Sequence, residues 1–222
     1  MASKTRIVPL LLCAALMAAV GAAQAATFDA FTDFSTASNP NPPWTYGFET
    51  SLGGSLTLYD QAGGTTVWRH STVQSLGAPA DFIAGTTAAF HPGQNNEFSV
   101  FRFTAPITGG YDLSSHYAPL GATPTTTDVH VLLNGVQIFG GIVDASNSPT
   151  FNTLLALNAG DTLDFAVGFG ANQNFFSDST ALTATLRTVQ IDGRVPEPGT
   201  LGLLGAGLIA LSRAAWKRRR PS

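Results

Sequence analysis

The chain has 222 residues, of which 14 are acidic and 11 basic, for a formal charge of −3. The distribution is uneven: between residues 26 and 194 four arginines stand against thirteen carboxylates, with no lysine, a formal charge of −9. Such a surface repels phosphate backbones, which argues against a nucleic-acid partner.

The first 25 residues have the three parts of a secretory signal peptide. Lys4 and Arg6 supply the charged start, Ile7 to Val20 an apolar helical run, and Ala23-Gln24-Ala25 a small-residue cleavage site for signal peptidase. The mature chain is therefore expected to begin at Ala26. Cys13, the single cysteine, falls inside this peptide; Leu12 before it is too large for a lipobox, and the apolar run continues beyond it. A mature chain without cysteine has no disulfide even in an oxidising compartment, so packing and hydrogen bonds must hold it.

Residues 26–194 suit one domain with a full core. Helical periodicity is nearly absent, and short alternating runs recur. In chain order, Ser55–Tyr59 and Thr65–Arg69 flank Gly63-Gly64, and Phe98–Thr104 carries Phe101 and Phe103 on one face. Pro106–Gly110 reads as a turn before Tyr111–Ser114. Asp128–Leu133 and Val136–Val143 are joined by Asn134-Gly135, a strong hairpin signal. Phe151–Leu157 and Thr162–Val167, separated by Asn158-Ala159-Gly160-Asp161, read as a further hairpin, and a last strand covers about Ala181–Ile191. Nine or ten short strands with Gly/Pro punctuation predict an all-β fold, an antiparallel β-sandwich of jelly-roll type.

Candidate contact residues are few. Trp44, Tyr46 and Phe48 alternate and share one strand face, which serves either a sugar-stacking platform or the core; Trp68, beside Arg69 and His70, has the same two readings. Phe175-Phe176 lies in the polar stretch Ala171–Ser179. Adjacent side chains on extended backbone point opposite ways, so the pair serves either as a ligand contact with one ring in solvent, with Asn172, Asn174 and Asp178 as hydrogen-bonding neighbours, or as a loop plug over the end of the sandwich. Trp44, Phe175, Phe176 and Asp178 are thus the candidate ligand-binding residues. Asp161, Asp164, Asp178 and Asp128 are oxygen donors of the type Ca²⁺ takes, yet Asp161 fits a turn after Gly160 and no EF-hand spacing exists. His70, His91, His116 and His130 lack zinc spacing. No metal or cofactor is assigned. There is no GxSxG elbow or mature cysteine nucleophile, and Glu49 and Glu97 are the only glutamates of the domain, so the chain is not expected to be an enzyme.

The C-terminal residues 195–222 form a third unit. Pro196 and Pro198 hold the Pro196-Glu197-Pro198 tripeptide extended. Residues 199–216 would reach about 27 Å as a helix at roughly 1.5 Å per residue, barely enough for a transmembrane segment. Arg213 must snorkel, and Lys217, Arg218, Arg219 and Arg220 act as a cytoplasmic stop. This ordered set resembles the PEP-CTERM sorting signal of Gram-negative bacteria. The resemblance implies recognition by an exosortase, a transient inner-membrane intermediate, and delivery to the cell surface or extracellular matrix, in association with exopolysaccharide and biofilm. A second resemblance is carried by His91-Pro92-Gly93, Phe98–Pro106, Thr126–Val131 and Ala159–Gly168. Over about 44–191 the chain looks like a domain of secreted bacterial proteins similar to jelly-roll carbohydrate-binding modules. The expected role is a non-catalytic structural or adhesive component of an exopolysaccharide layer. The alternatives are a carbohydrate-binding module with a discrete site, and a glycan-active enzyme.

Overall fold

The computed structural model describes residues 25–64, 66–72, 88–120 and 125–189. The signal peptide up to Gln24 and the sorting tail lie outside the described residues. Among those described, no helix is long and apolar enough to cross a membrane.

Among the described residues, thirteen strands form two antiparallel sheets and a small ribbon. The first sheet contains β1 (Thr27–Asp29), β6 (Ala88–Phe90), β8 (Gly109–Pro119), β11 (Thr150–Leu157) and β13 (Thr180–Val189). The second contains β2 (Trp44–Glu49), β3 (Thr57–Leu58), β7 (Phe98–Thr104), β9 (Thr127–Leu133), β10 (Val136–Val143) and β12 (Thr162–Gly168). The ribbon pairs β4 (Gln61–Gly63) with β5 (Val67–Arg69). From β6 onward, consecutive strands alternate between sheets except at the β9–β10 hairpin, giving the orders β6-β13-β8-β11 and β7-β12-β9-β10. That is the double Greek key of a jelly roll. The sandwich expectation holds, and β1, β2 and β3 extend the two sheets.

Period-two alternation explains the core. Along β8, Tyr111, Leu113, Ser115 and Tyr117 are buried, while Asp112, Ser114 and His116 are exposed. Trp44, Tyr46 and Phe48 do share a face of β2, and that face is the interior. Trp44 has no exposed surface and packs on Phe101, Phe103 and Phe165 with ring centroids 6.5, 5.4 and 6.3 Å away. Its candidacy as a stacking platform is therefore corrected: the ring offers no face to a ligand. Trp68 is likewise buried, its indole N–H donating to the Ser35 carbonyl at 2.7 Å.

Two hairpin expectations divide. Asn134-Gly135 makes the β9–β10 turn with φ of 50° and 79°, and Leu133 faces Val136. Residues 151–157 and 162–167, by contrast, do not pair. β11 is an edge strand against β8, whereas β12 lies between β7 and β9 in the other sheet. β12 is buried from Leu163 to Gly168, and its two edges are taken by β7 and β9, which leaves none for β11. Residues 158–161 therefore cross between sheets. Near Gly64, β4 rather than residues 55–59 pairs with β5, and β3 joins β2.

Candidate functional site

β13 orders the molecule along one axis. Its ten residues, at about 3.3 Å each, run from the loop that holds Phe175-Phe176 to the end that continues toward the tail. Strand β1 lies antiparallel beside it, with Thr27 opposite Arg187. Ala26 therefore meets Thr188, donating its N–H to the Thr188 Oγ1 at 2.7 Å and accepting the Thr188 N–H at 2.8 Å. The expected signal-peptide site after Ala25 and the exit to the tail thus share one pole. The Phe175-Phe176 loop occupies the other.

After β12 the chain makes one 3₁₀ turn, Gly170–Asn172, and passes through left-handed conformations at Gln173 and Ser177, with φ of 53° and 65°. Short polar side chains support this path: the Asn174 N–H donates to Asn172 Oδ1 at 3.2 Å, and the Phe176 N–H to Asn174 Oδ1 at 3.1 Å. Because the backbone turns at Phe176–Ser177 instead of extending, the two phenyl rings do not diverge. They stack at 4.5 Å with 28° between planes. Phe175 is half-buried with His91 edge-on at 6.1 Å, whereas Phe176 is 70% exposed. One exposed ring was expected; its stacking on its neighbour was not.

Asp178 departs from expectation. Its side chain turns inward and is fully buried, with Oδ1 accepting the Thr126 N–H at 3.1 Å and Oδ2 lacking a protein partner among the described residues. Burial raises its pKa, against the opposing Thr126 hydrogen bond and the nearby His91. It braces the loop and does not face a ligand.

Beside this loop is a cleft of about 400 Å³ lined by residues of the β9 start, the β10 end and the 3₁₀ turn, with Asp128, Ile142, Asp144 and Asn172 among them. The Asn172 amide donates to Thr126 Oγ1 across its wall. Asp128 accepts the Gly170 N–H at 3.0 Å and pairs with His130 Nε2 at 3.1 Å. Burial pushes the Asp128 carboxyl up, but the His130 contact and the backbone amides outweigh it, leaving the pKa below the usual value. The Ser146 amide and hydroxyl lower that of Asp144. Two ionised carboxylates and an amide thus border a cleft with an isoleucine at its side. This suits hydrogen bonding to hydroxyls more than binding of an anion.

The four aspartates weighed as calcium donors are not gathered. Asp161 accepts the Asn158 N–H at 2.7 Å as a turn residue, Asp164 is bidentate to Arg102, and Asp178 and Asp128 are engaged as above. Among the described residues no group of three or more His, Cys, Asp or Glu could hold a metal ion.

The outer face of the six-stranded sheet carries a feature that sequence reasoning missed. Residues 50–56 fold back across it as a strap, with Leu52 and Leu56 packed on Phe98, Val100, Leu132 and Ala166. Beside the strap, Arg102 spans two fully buried carboxylates. Its Nε and one Nη donate to Asp164 at 2.5 and 2.8 Å, and the same Nη reaches Glu49 at 3.3 Å. Burial and then Asp164 raise the Glu49 pKa to about 7. Glu97 instead accepts the backbone N–H and side-chain amide of Asn95 within its own loop. The only available signal was the parity of Thr45, Gly47 and Glu49 on β2, opposite to the aromatic face.

The fold and site thus define an antiparallel jelly-roll sandwich with an exposed aromatic loop at the pole opposite Val189, the end of β13. Residues 194–220 of the same chain match the PEP-CTERM protein-sorting motif. This motif implies export, processing by an exosortase, and a surface or extracellular destination in a Gram-negative bacterium. No curated protein matches the chain. Among solved structures, the chain is similar to the CBM51 module of Clostridium perfringens GH95 in complex with methyl-galactose. Identity is 13%, coverage 72% of this chain and 99% of that one, and the TM-score 0.38. It is similar also to the CBM22-1 xylan-binding domain of Paenibacillus barcinonensis Xyn10C, at 12% identity, coverage of 74% and 94%, and a TM-score of 0.37. Pika GITRL aligns over 42% of this chain and 75% of its own, at 18% identity and a TM-score of 0.28.

Proposed function

We propose that the chain is exported by its signal peptide, held briefly in the inner membrane by residues 199–216, and cut near Pro196-Glu197-Pro198 by an exosortase. The released sandwich then serves as a non-catalytic structural or adhesive component of an exopolysaccharide or biofilm layer. The sorting motif at residues 194–220 carries this reading. Arg213 and the Lys217–Arg220 cluster stop transfer, and signal peptidase cuts between Ala25 and Ala26. Mass spectrometry of both ends of the mature protein tests it. A chain beginning at Ala26 and ending close to the tripeptide is expected, and one intact to Ser222 would defeat it.

A second reading, a carbohydrate-binding module with a discrete site, is favoured by one observation. Phe176 exposes 70% of its surface and stacks on Phe175, in the same loop whose Asn172 lines the 400 Å³ cleft. Sugar rings present C–H faces to aromatics and hydroxyls to carboxylates and amides, and Asp128, Asp144 and Asn172 supply the latter. A glycan array separates the readings: saturable binding to one class of glycan supports a discrete site, and diffuse weak retention supports the adhesive role.

A further inference from the structure

The pole from which both chain ends leave has its own surface chemistry. A groove of about 440 Å³ opens there, with walls built from Phe28, Pro40, Pro42, Pro43, Ala105 and Pro106, and no charged side chain lines it. The adjoining loop exposes Ile107 at 55%. Asp161, in the neighbouring turn, is occupied by Asn158 and Asn134 and does not line the groove. On a domain with a formal charge of −9, an uncharged groove lined mainly by apolar side chains, with Thr45 and Thr104 as its polar members, calls for an occupant.

Where the chain goes next identifies that occupant. Val189 ends β13 at this pole, and the apolar tail segment begins at Gly199. Ten residues span at most about 35 Å even when fully extended. A tail in the bilayer therefore keeps this pole beside the lipid surface at high effective concentration, so a weak apolar contact is enough. Anionic headgroups repel the acidic domain, so such a contact has to be apolar and insensitive to salt.

We propose that this pole, centred on the proline-walled groove and Ile107, docks on the outer face of the lipid bilayer while the chain is tail-anchored. The domain then stands with β13 directed away from the membrane and the Phe175-Phe176 loop facing outward. The inference goes beyond the sorting reading but rests on the tail being inserted.

The test uses the tail-bearing chain from Ala26 to Ser222, which has no cysteine of its own, so that an introduced cysteine is the sole thiol. Ile107→Cys and Phe176→Cys, both at exposed positions, each receive an environment-sensitive fluorophore. Each labelled chain is reconstituted into vesicles of phosphatidylethanolamine and phosphatidylglycerol carrying a headgroup-level nitroxide quencher. The expected result is a blue shift and loss of emission at position 107 that persist at high salt, with neither at 176. No quenching at 107 in a chain that survives an alkaline wash overturns the docking and leaves the anchor intact. A blue shift without quenching overturns it in favour of a second copy in the groove. Loss of the chain in the wash overturns docking and anchor together.

Discussion

Glu49 accepts the Gly53 N–H at 2.9 Å while one of its oxygens lies 3.3 Å from Arg102, so one buried carboxylate ties the 50–56 strap to the sheet beneath it. Strap, arginine and Asp164 form one unit on the outer face, separate from the aromatic loop at the end of the sandwich.

This unit makes stability depend on pH with a definite sign. The folded pKa of Glu49 is raised from 4.5 to about 7, so the folded state binds its proton more tightly than the unfolded chain does. Stability from this group is fully present below about pH 4.5, declines between 4.5 and 7, and is flat above. A shift of that size corresponds to roughly 3 kcal/mol. Glu49→Gln preserves an acceptor for Gly53 and removes the titration. Denaturant titrations of the two proteins should therefore agree near pH 4 and diverge toward pH 7, with the variant more stable. Parallel curves would refute the assignment.

Gly53 is held at φ +74°, and a Cβ there would lie 2.4 Å from the Gly135 carbonyl oxygen. Backbone atoms cannot swing aside as a flexible side chain does. Gly53→Ala should cost roughly 1–3 kcal/mol from the conformation alone, with the contact adding to it. Thermal unfolding and faster hydrogen exchange in residues 50–56 would report the loosened strap.

Trp44→Ala and Phe176→Ala should behave in opposite ways. Removing a fully buried indole from a cluster of three phenyl rings costs about 3–5 kcal/mol. Truncating the exposed Phe176 should change stability by less than about 0.5 kcal/mol and weaken any glycan retention. Equal glycan binding by Phe176→Ala and the native protein would remove the end loop from consideration.

Glu197→Ala should leave signal-peptide removal unchanged and block C-terminal processing, so the slower-migrating, membrane-retained form accumulates. Normal maturation on a gel would count against sorting through the tripeptide.

Where local signals suffice, the fold was legible. Asn134-Gly135 specifies its hairpin because both positions need positive φ, and Asn and Gly tolerate that most readily. The β11–β12 segment looked equally hairpin-like. Yet both edges of β12 are taken by β7 and β9, strands far away in sequence, and no local signal in residues 151–167 reports that. The aromatic alternation on β2 was also visible, but alternation tells which residues share a face and not whether that face meets solvent. Of Phe175 and Phe176 one ring was expected in solvent, and Phe176 is the exposed one, while Asp178, two residues later, turned inward.

The sequence alone carried the sorting motif, because Pro196-Glu197-Pro198 with its apolar and basic followers is a contiguous pattern that needs no folded context. Tertiary structure decided which side chains any ligand can reach. Exposure is settled by contacts between strands distant in the chain, which buried Trp44 and Asp178, left Phe176 in solvent, and put it at the Thr180 end of β13, opposite Val189.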